Sequence, residues 1–384
     1  MSQDPEWALG FMTGTSMDGV DCAFVRTDGH RIFDFGPTRS YAFSSHDRMI
    51  LVNAAARARQ SVESPDDLYV AMQQREAVEG FHDFFPGVYH VLDEAIVCSG
   101  DGFSFAKIIG VHGQTLVHAP DERLSLQLFD PGRLGAATNS NIVYDFRTDD
   151  IKAGGQGAPL APFFHFALSK RIGSQEPLAF LNIGGVANVT WVNPSKEVPE
   201  EPGALLAFDT GPGNALIDDW MQGRVAEAMD RDGAAASAGR VQRERLGSNA
   251  ARAYLDRVPP KSLDRNDFAA VFGQMEGLSV EDGAATLTAF TVDCVVESLH
   301  HMPSPATRWL VCGGGRRNRT MMGMLAERLD APVEPVEAVG LDGDMLEAQA
   351  FAYLAVRVLR GLPTSAPSTT GCLEPVCGGR IHVP

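Results

Sequence analysis

The sequence predicts two layered α/β lobes, and three observations predict them. The chain has 384 residues, more than one hydrophobic core ordinarily organises. Apolar residues make up 44% and charged residues 21%, the balance of a globular enzyme. Each half then opens with three short apolar runs separated by turns and continues with alternating helical and strand patterns, the signature of α/β layers. The first lobe is expected over residues 1–145 and the second over 146–384.

Trp7 to Met12 and Val20 to Arg26 read as strands on either side of a Gly-rich turn, and Arg31 to Phe43 as a third strand broken at Pro37. Helical patterning follows. From Asp66 and Asp67 it runs onward to Val97, interrupted at Pro86, so two helices are expected there. Strands recur at Lys107–Val111, Leu124–Phe129 and Ile142–Phe146, with a helix over Pro131–Asn139. A Gly-rich loop over Gly154–Pro159 leads into an apolar helix through Leu168. The second meander comprises Leu178–Ile183, Val186–Val192 and Leu205–Phe208. Later strands fall at Trp309–Val311 and Pro332–Val336, and the clearest later helices at Ala284–Leu299 and Met345–Leu359. The two halves share a plan without sharing a sequence repeat.

Charge and cysteine content exclude several classes. Lys plus Arg number 32 against 49 Asp plus Glu, a net charge of −17, which disfavours nucleic acid and anionic membranes as partners. The basic stretches Arg240–Arg245 and Arg316–Arg319 read as a solvated helix face and as a loop or helix start. No apolar run approaches the roughly 20 residues of a membrane span, and the N-terminus is acidic rather than signal-like. Four of the six cysteines (Cys22, Cys98, Cys294, Cys312) lie in apolar stretches and read as buried thiols. Cys372 and Cys377 lie near the tail, open to metal ligation or a disulfide. A reduced cytoplasmic protein is expected.

The chemistry-bearing stretches are mostly turns. Gly14, Thr15, Ser16, Met17, Asp18, Gly19, Val20 and Asp21 join two strands, where bare backbone and small hydroxyls suit a phosphate and Asp18 suits Mg²⁺, directly or through water. A plain Asp-Gly hairpin turn fits the same residues. Gly184 and Gly185 form a second such turn. Asp209, next to Gly211 and Gly213, stands at a strand's C-terminal end, placed for general-base work or simply as a turn or N-cap aspartate. Gly313, Gly314 and Gly315 follow another strand and offer either a flat surface for adenine or ribose or a flexible loop. His112, Gln114 and Arg147 mark two more strand ends, where ligands gather in α/β sheets. Glu347 sits in the first turn of the last long helix, where dipole stabilisation alone would explain it. Together these turns suit a nucleotide clamped in a cleft between two lobes.

The stretches G-T-S-M-D-G-V-D, V-H-G-Q-T, D-F-R-x-x-D, G-G-Q-G-A-P-L-A-P, L-N-I-G-G-V-A-N, F-D-T-G-P-G-N and C-G-G-G, in that order from about Leu9 to beyond Glu347, resemble the anhydro-N-acetylmuramic acid kinase family. The resemblance implies an actin/hexokinase/Hsp70-like (ribonuclease H-like) fold with ATP in the cleft, and a homodimer. It also implies the use of MgATP to open 1,6-anhydro-N-acetylmuramic acid with water while phosphorylating O6, a step of peptidoglycan recycling. In its terms Asp209 is the general base and Glu347 lies by the sugar ring. Gly14 through Asp21 bind phosphates, with Gly184, Gly185, Gly211, Gly213 and Gly313–Gly315 also on ATP. Gln114 and Arg147, with His112, hold the sugar. Departures are Val111 where the family usually has Ser, Thr148 and Asp149 where it is often more basic, and Lys261-Ser262-Leu263-Asp264-Arg265-Asn266 in place of K-S-T-G-R-E. They leave room for a levoglucosan-kinase-like substrate. A non-catalytic nucleotide sensor is the alternative outside enzymes, and the presence of both Asp18 and Asp209 argues against it.

Overall fold

The computed structural model describes residues 4–14, 16–74, 81, 83–100, 106–246, 252–263 and 268–384. The chain forms two units, Met1–Arg171 together with Met345–Pro384, and Ile172–Asp344. The division therefore departs from the expected break near Asp145. The helix Ala161–Arg171 stays with the first unit, and the chain returns to that unit at Met345.

In the first unit, β1 (Glu6–Thr13), β2 (Gly19–Thr27) and β3 (Ile32–Ala42) form an antiparallel meander. β4 (Ile108–Val111) joins β1 in parallel. After the separate hairpin of β5 (Gln114–Ala119) and β6 (Leu124–Leu128), β7 (Asn141–Tyr144) joins β4 in parallel. In the second unit, β8 (Leu178–Ile183), β9 (Ala187–Val192) and β10 (Leu205–Gly211) form the meander, and β11 (Trp309–Cys312) and β12 (Val333–Pro335) extend it in parallel from β8. The last strand, β13 (Arg380–His382), pairs antiparallel with β7. With the hairpin and β13 set aside, both sheets run third–second–first–fourth–fifth. This is the doubled ribonuclease H-like topology that the actin-like expectation requires.

The central strand β1 is buried on both faces, as a strand between helical layers must be. One face packs with Ala95 and Ile96 of the helix Pro86–Gly100. The other takes the helix Leu346–Leu359 so closely that a Cβ on Gly10 would lie 1.9 Å from the Ala348 carbonyl oxygen, and one on Gly110 2.2 Å from that of Phe351. In the second unit the apolar helix Val280–Glu297 fills the core beneath β8–β11 with Trp220, Phe208 and Trp309.

Pro37 does not break its strand. β3 runs through it because it is an edge strand and because Gly36 and Pro37 fall at a register shift opposite Phe24, where a missing N–H costs no ladder bond. The helix Ser45–Glu63 was not delimited by the sequence reading, although Ser44 and Asp47 form a reciprocal capping box at its start. Cys98 is exposed, contrary to expectation, and Cys372 is buried; none of the six cysteines is in a disulfide. Arg243–Arg245 is a short 3₁₀ turn rather than a longer helix face. Among the described residues, no helix is long and apolar enough to cross a membrane.

Candidate active site

Several of the predicted residues of the first unit gather where β1 and β4 end. The β1–β2 turn closes with Met17 N–H donating to the Gly14 carbonyl at 3.2 Å, which places Met17 at φ +52°. Ser16 Oγ donates to Asp18 Oδ1 at 2.7 Å, and both side chains are exposed. Thr15 lies outside the described residues. Gly19, Val20 and Asp21 already belong to β2. A Cβ on Gly19 would lie 2.3 Å from the Tyr41 carbonyl oxygen, Val20 is fully buried, and Asp21 accepts from Ser40 Oγ at 2.5 Å. The open part of this motif among the described residues is thus Ser16 and Asp18, next to the half-buried Gly14.

β4 delivers His112 and, after a left-handed Gly113, Gln114 at the start of β5. Gln114 is fully buried. Its Nε2 donates to the carbonyls of Gly14 and Thr115, each at 3.3 Å, so it ties β5 to the β1–β2 turn. Its Oε1, and Thr13 Oγ1 at the end of β1, have no protein hydrogen-bond partner among the described residues. Buried acceptors left open like this call for a ligand or water.

Arg147 stands just beyond β7. Its Nε and Nη2 donate to His112 Nε2 at 3.2 and 2.8 Å, and its Nη1 donates to the Gly157 carbonyl at 2.7 Å. His112 therefore accepts on Nε2 and is neutral. Burial first, and the Arg147 charge second, hold its pKa well below the ordinary histidine value. Burial also lowers Arg147 to about 10, opposed by the charges of Glu347 and Asp150. Glu347 lies in the first turn of its helix and is exposed as a residue. The protein around it still raises its carboxyl above the usual range; Arg147 opposes that rise and Asp21 adds to it. Arg147 thus couples electrostatically to Glu347, a relation that residues two hundred positions apart do not announce in sequence.

The second unit holds Asp209 inside β10, two residues before its end and beside the register shift to Gly211. It is not a helix cap, because the next helix, Ala215–Val225, begins after Asn214. The Leu263 N–H donates to Asp209 Oδ2 at 2.8 Å. The backbone is pinned as well: Asp209 N–H donates to the Lys261 carbonyl at 3.0 Å, and Tyr254 Oη donates to the Asp209 carbonyl at 2.7 Å. Lys261, itself buried, anchors this segment through Nζ to the Leu255 carbonyl at 2.8 Å. Burial raises the Asp209 carboxyl to about 7, although the Leu263 amide pulls the other way. Sequence reading missed Tyr254, Lys261 and Leu263 as supports, because nothing local ties residues 254–263 to a strand 45 or more positions earlier. Asp264, Arg265 and Asn266 lie outside the described residues.

The glycine turns of this unit interlock at the same sheet edge. Asn214 N–H and Nδ2 both donate to the Gly184 carbonyl, at 2.8 and 3.0 Å. A Cβ on Gly213 would lie 2.5 Å from that oxygen, one on Gly211 2.6 Å from Cys294 Cβ, and one on Gly315 2.4 Å from Ile183 Cγ2. Gly313 is left-handed at φ +71° against Asn182. These four glycines are required by packing. Gly185 faces open space and Gly184 and Gly314 nearly so, which leaves their backbone available to a ligand. Arg316, expected in a loop or helix start, lies in the 3₁₀ turn Gly314–Arg317 just before the helix Arg319–Arg328, and its side chain is nearly buried. It holds the Gly313 carbonyl at 2.9 Å and pairs with Glu337 at 2.8 Å and Asp344 at 3.0 Å.

Two clusters are thus present, one with the β1–β2 turn and a buried Arg–His–Gln set, the other with a carboxyl raised by burial to about 7 in the unit that carries the open glycines. The chain matches the family model for anhydro-N-acetylmuramic acid kinase over residues 6–384. It belongs to that family. The proteins named anhydro-N-acetylmuramic acid kinase from Ruegeria sp. (strain TM1040) and Roseobacter denitrificans are 50% and 48% identical to it over 380 residues. Those alignments cover 99% of this chain and 96% and 95% of the relatives. Likeness to solved structures is remote. The activator of the 2-hydroxyisocaproyl-CoA dehydratase from Clostridium difficile is 11% identical, with TM-score 0.45 over 92% of this chain and 96% of that one. In this family member, the ordered motifs lie at strand ends and the turns that follow them, in both units.

Proposed function

We propose that the protein is an ATP-dependent carbohydrate kinase that converts 1,6-anhydro-N-acetylmuramic acid to N-acetylmuramic acid 6-phosphate. The observation that carries the chemistry is Asp209, a hydrogen-bonded carboxyl raised by burial to about 7. A base that titrates near the working pH is both ionised often enough and basic enough to take a proton. Asp209 takes a proton from water as the water oxygen bonds to C1. The C1–O6 bond breaks with its electron pair on O6, O6 attacks the γ-phosphorus, and ADP departs. A 1,6-anhydro sugar has no free 6-hydroxyl, so ring opening and phosphoryl transfer belong to one event.

The roles of the other groups follow from their surroundings. Gln114 offers its open Oε1, Arg147 its remaining N–H groups and charge, and Glu347 an acceptor at the helix start, all toward the sugar. His112 accepts from Arg147 and fixes its plane. Gly14, Ser16 and Asp18 attend the phosphates, and the open backbone at Gly184, Gly185 and Gly314 attends the nucleotide. Asp18 fits a Mg²⁺ held through water, since its exposed carboxylate is oriented by Ser16; the ion would offset charge on the transferring phosphoryl group. A homodimer in the cytoplasm is part of the same reading, as the family resemblance implies.

Turnover in ¹⁸O-water tests it. The label is expected at C1 of the 6-phosphorylated product before anomeric exchange, with unlabelled phosphate. Label in free phosphate with the anhydro ring intact would make the protein an ATPase and overturn the reading.

A further inference from the structure

One acidic side chain of the D-F-R-x-x-D stretch has no part in the chemistry above. Asp150 is fully buried, yet no arginine or lysine pairs directly with it among the ion pairs of the described residues. It is held by neutral donors instead. Ser365 Oγ donates to Oδ1, Thr370 Oγ1 donates to Oδ1 at 2.6 Å, and the Gly157 N–H donates to Oδ2 at 2.7 Å. The Cys372 thiol borders the same group. A buried carboxylate is costly, and three donors drawn from the Gly157 loop and the distant C-terminal segment are a construction rather than an accident of packing.

The third donor leads to the site. Gly157 gives its N–H to Asp150 and its carbonyl to Arg147 Nη1. The carboxylate and the guanidinium are thus bridged by one peptide group on each side of Gly157, and the Asp150 charge favours the charged Arg147. The loop is shaped around this bridge. A Cβ on Gly155 would lie 2.2 Å from Asp150 Oδ2, and Gly157 sits at φ +70° with Ile151 2.8 Å from where its Cβ would be. That accounts for Gly155 and Gly157 of the G-G-Q-G pattern. The C-terminal segment closes the other side, with the Thr370 carbonyl accepting from Gln156 N–H at 2.8 Å.

We infer that Asp150 is a positioning residue for the sugar-binding Arg147, acting through Gly157, and that Ser365 and Thr370 of the C-terminal segment aim Asp150. The inference rests on the reading of Arg147 as a sugar contact. It assigns the tail of the chain a part in substrate affinity, although no tail side chain need touch the substrate.

Initial-rate kinetics on the wild type, Asp150→Asn, Thr370→Val and Thr370→Ser, with 1,6-anhydro-N-acetylmuramic acid and ATP each varied, test it. Thr370→Val removes the hydroxyl at nearly constant shape and leaves the backbone bond to Gln156 intact; Thr370→Ser keeps the hydroxyl. The sugar KM is expected to rise about 10-fold or more in Asp150→Asn and several-fold in Thr370→Val, as loss of a charge-assisted bond implies, with ATP KM unchanged. Thr370→Ser is expected to match the wild type. An unchanged sugar KM in Thr370→Val, equal rises in both KM values, or a serine variant as impaired as the valine one would each overturn the assignment. Should Asp150→Asn fail to fold, the Thr370 pair decides alone. A wild type that does not turn over the sugar would remove the functional reading and this inference with it, an outcome distinct from active enzyme with indifferent variants.

Discussion

Asp209 loses hydration where β10 runs under its neighbours, and its carboxyl moves from 3.8 to about 7 as a result. Two measurable consequences follow, of opposite sign. As a base it must be ionised, so kcat/KM for the sugar is expected to climb as pH rises through about 7. As a buried group it prefers to be neutral when folded. Its contribution to stability is therefore full below the unfolded value near 4 and is lost as pH rises through about 7. Asp209→Asn, which keeps an acceptor for the Leu263 N–H, should cut turnover by ~10²–10⁴-fold. The same variant should melt above the wild type at pH 8, with the difference shrinking toward pH 4 in thermal scans. A variant that is inactive but no more stable at pH 8 would show that Asp209 carries no such strain. The motif around Asp209 was legible in sequence, as were the strand-end placements of His112, Gln114 and Arg147. What was not legible is what gives them their chemistry. The raised carboxyl depends on residues 254–263, the tilt of Arg147 on His112 and Gly157, and the field at Arg147 on Glu347.

At the level of elements, both meanders and most later strands follow from apolar runs between glycine or proline punctuation. Reading failed where tertiary placement outweighed local signals. Pro37 stays in a strand because that strand is at an edge and bulged, facts that only pairing reveals. Ser45–Glu63 is weakly amphipathic and alanine-rich, so its periodicity is faint even though its cap is well formed. The most demanding contact between elements is also silent in sequence: Gly10 and Gly110 carry no side chain so that the helix Leu346–Leu359 can rest on the backbones of β1 and β4. Gly110→Val should force that helix outward. Overpacking of this kind costs about 1–3 kcal/mol or more. It should therefore lower the melting temperature by several degrees and raise the sugar KM, since Glu347 rides on the same helix. A melting temperature equal to that of the wild type would show that the helix has room to spare.

Across the whole molecule, composition suffices to read the lobe count and the acidic surface, but not where the chain crosses between units. The expected boundary followed the end of a strand; the actual one follows the return of Met345–Pro384 to the first unit, which sequence order conceals. That segment supplies the helix over β1 and β4, the strand β13 against β7, and the Ser365 and Thr370 donors. Truncation before Met345 is expected to leave the first unit without one face of its sheet, and so to yield insoluble or protease-sensitive protein. Deletion of Arg380–Pro384 should cost only the edge strand, with a lower melting temperature but retained turnover. Comparable solubility and tryptic resistance for the longer truncation and the full chain would contradict this account.

The same return of the tail sets an order of assembly during synthesis. The second unit is one uninterrupted stretch, Ile172–Asp344, and every strand of its sheet is synthesised before the tail. The first unit begins earlier and finishes later. Its opening sheet emerges with β1 lacking the helix that will cover it, and it must wait through the translation of the whole second unit for that cover to arrive. Domains generally fold as they appear. Here the N-terminal one cannot, and the interval in which its apolar face stands bare is fixed by the length of the insert.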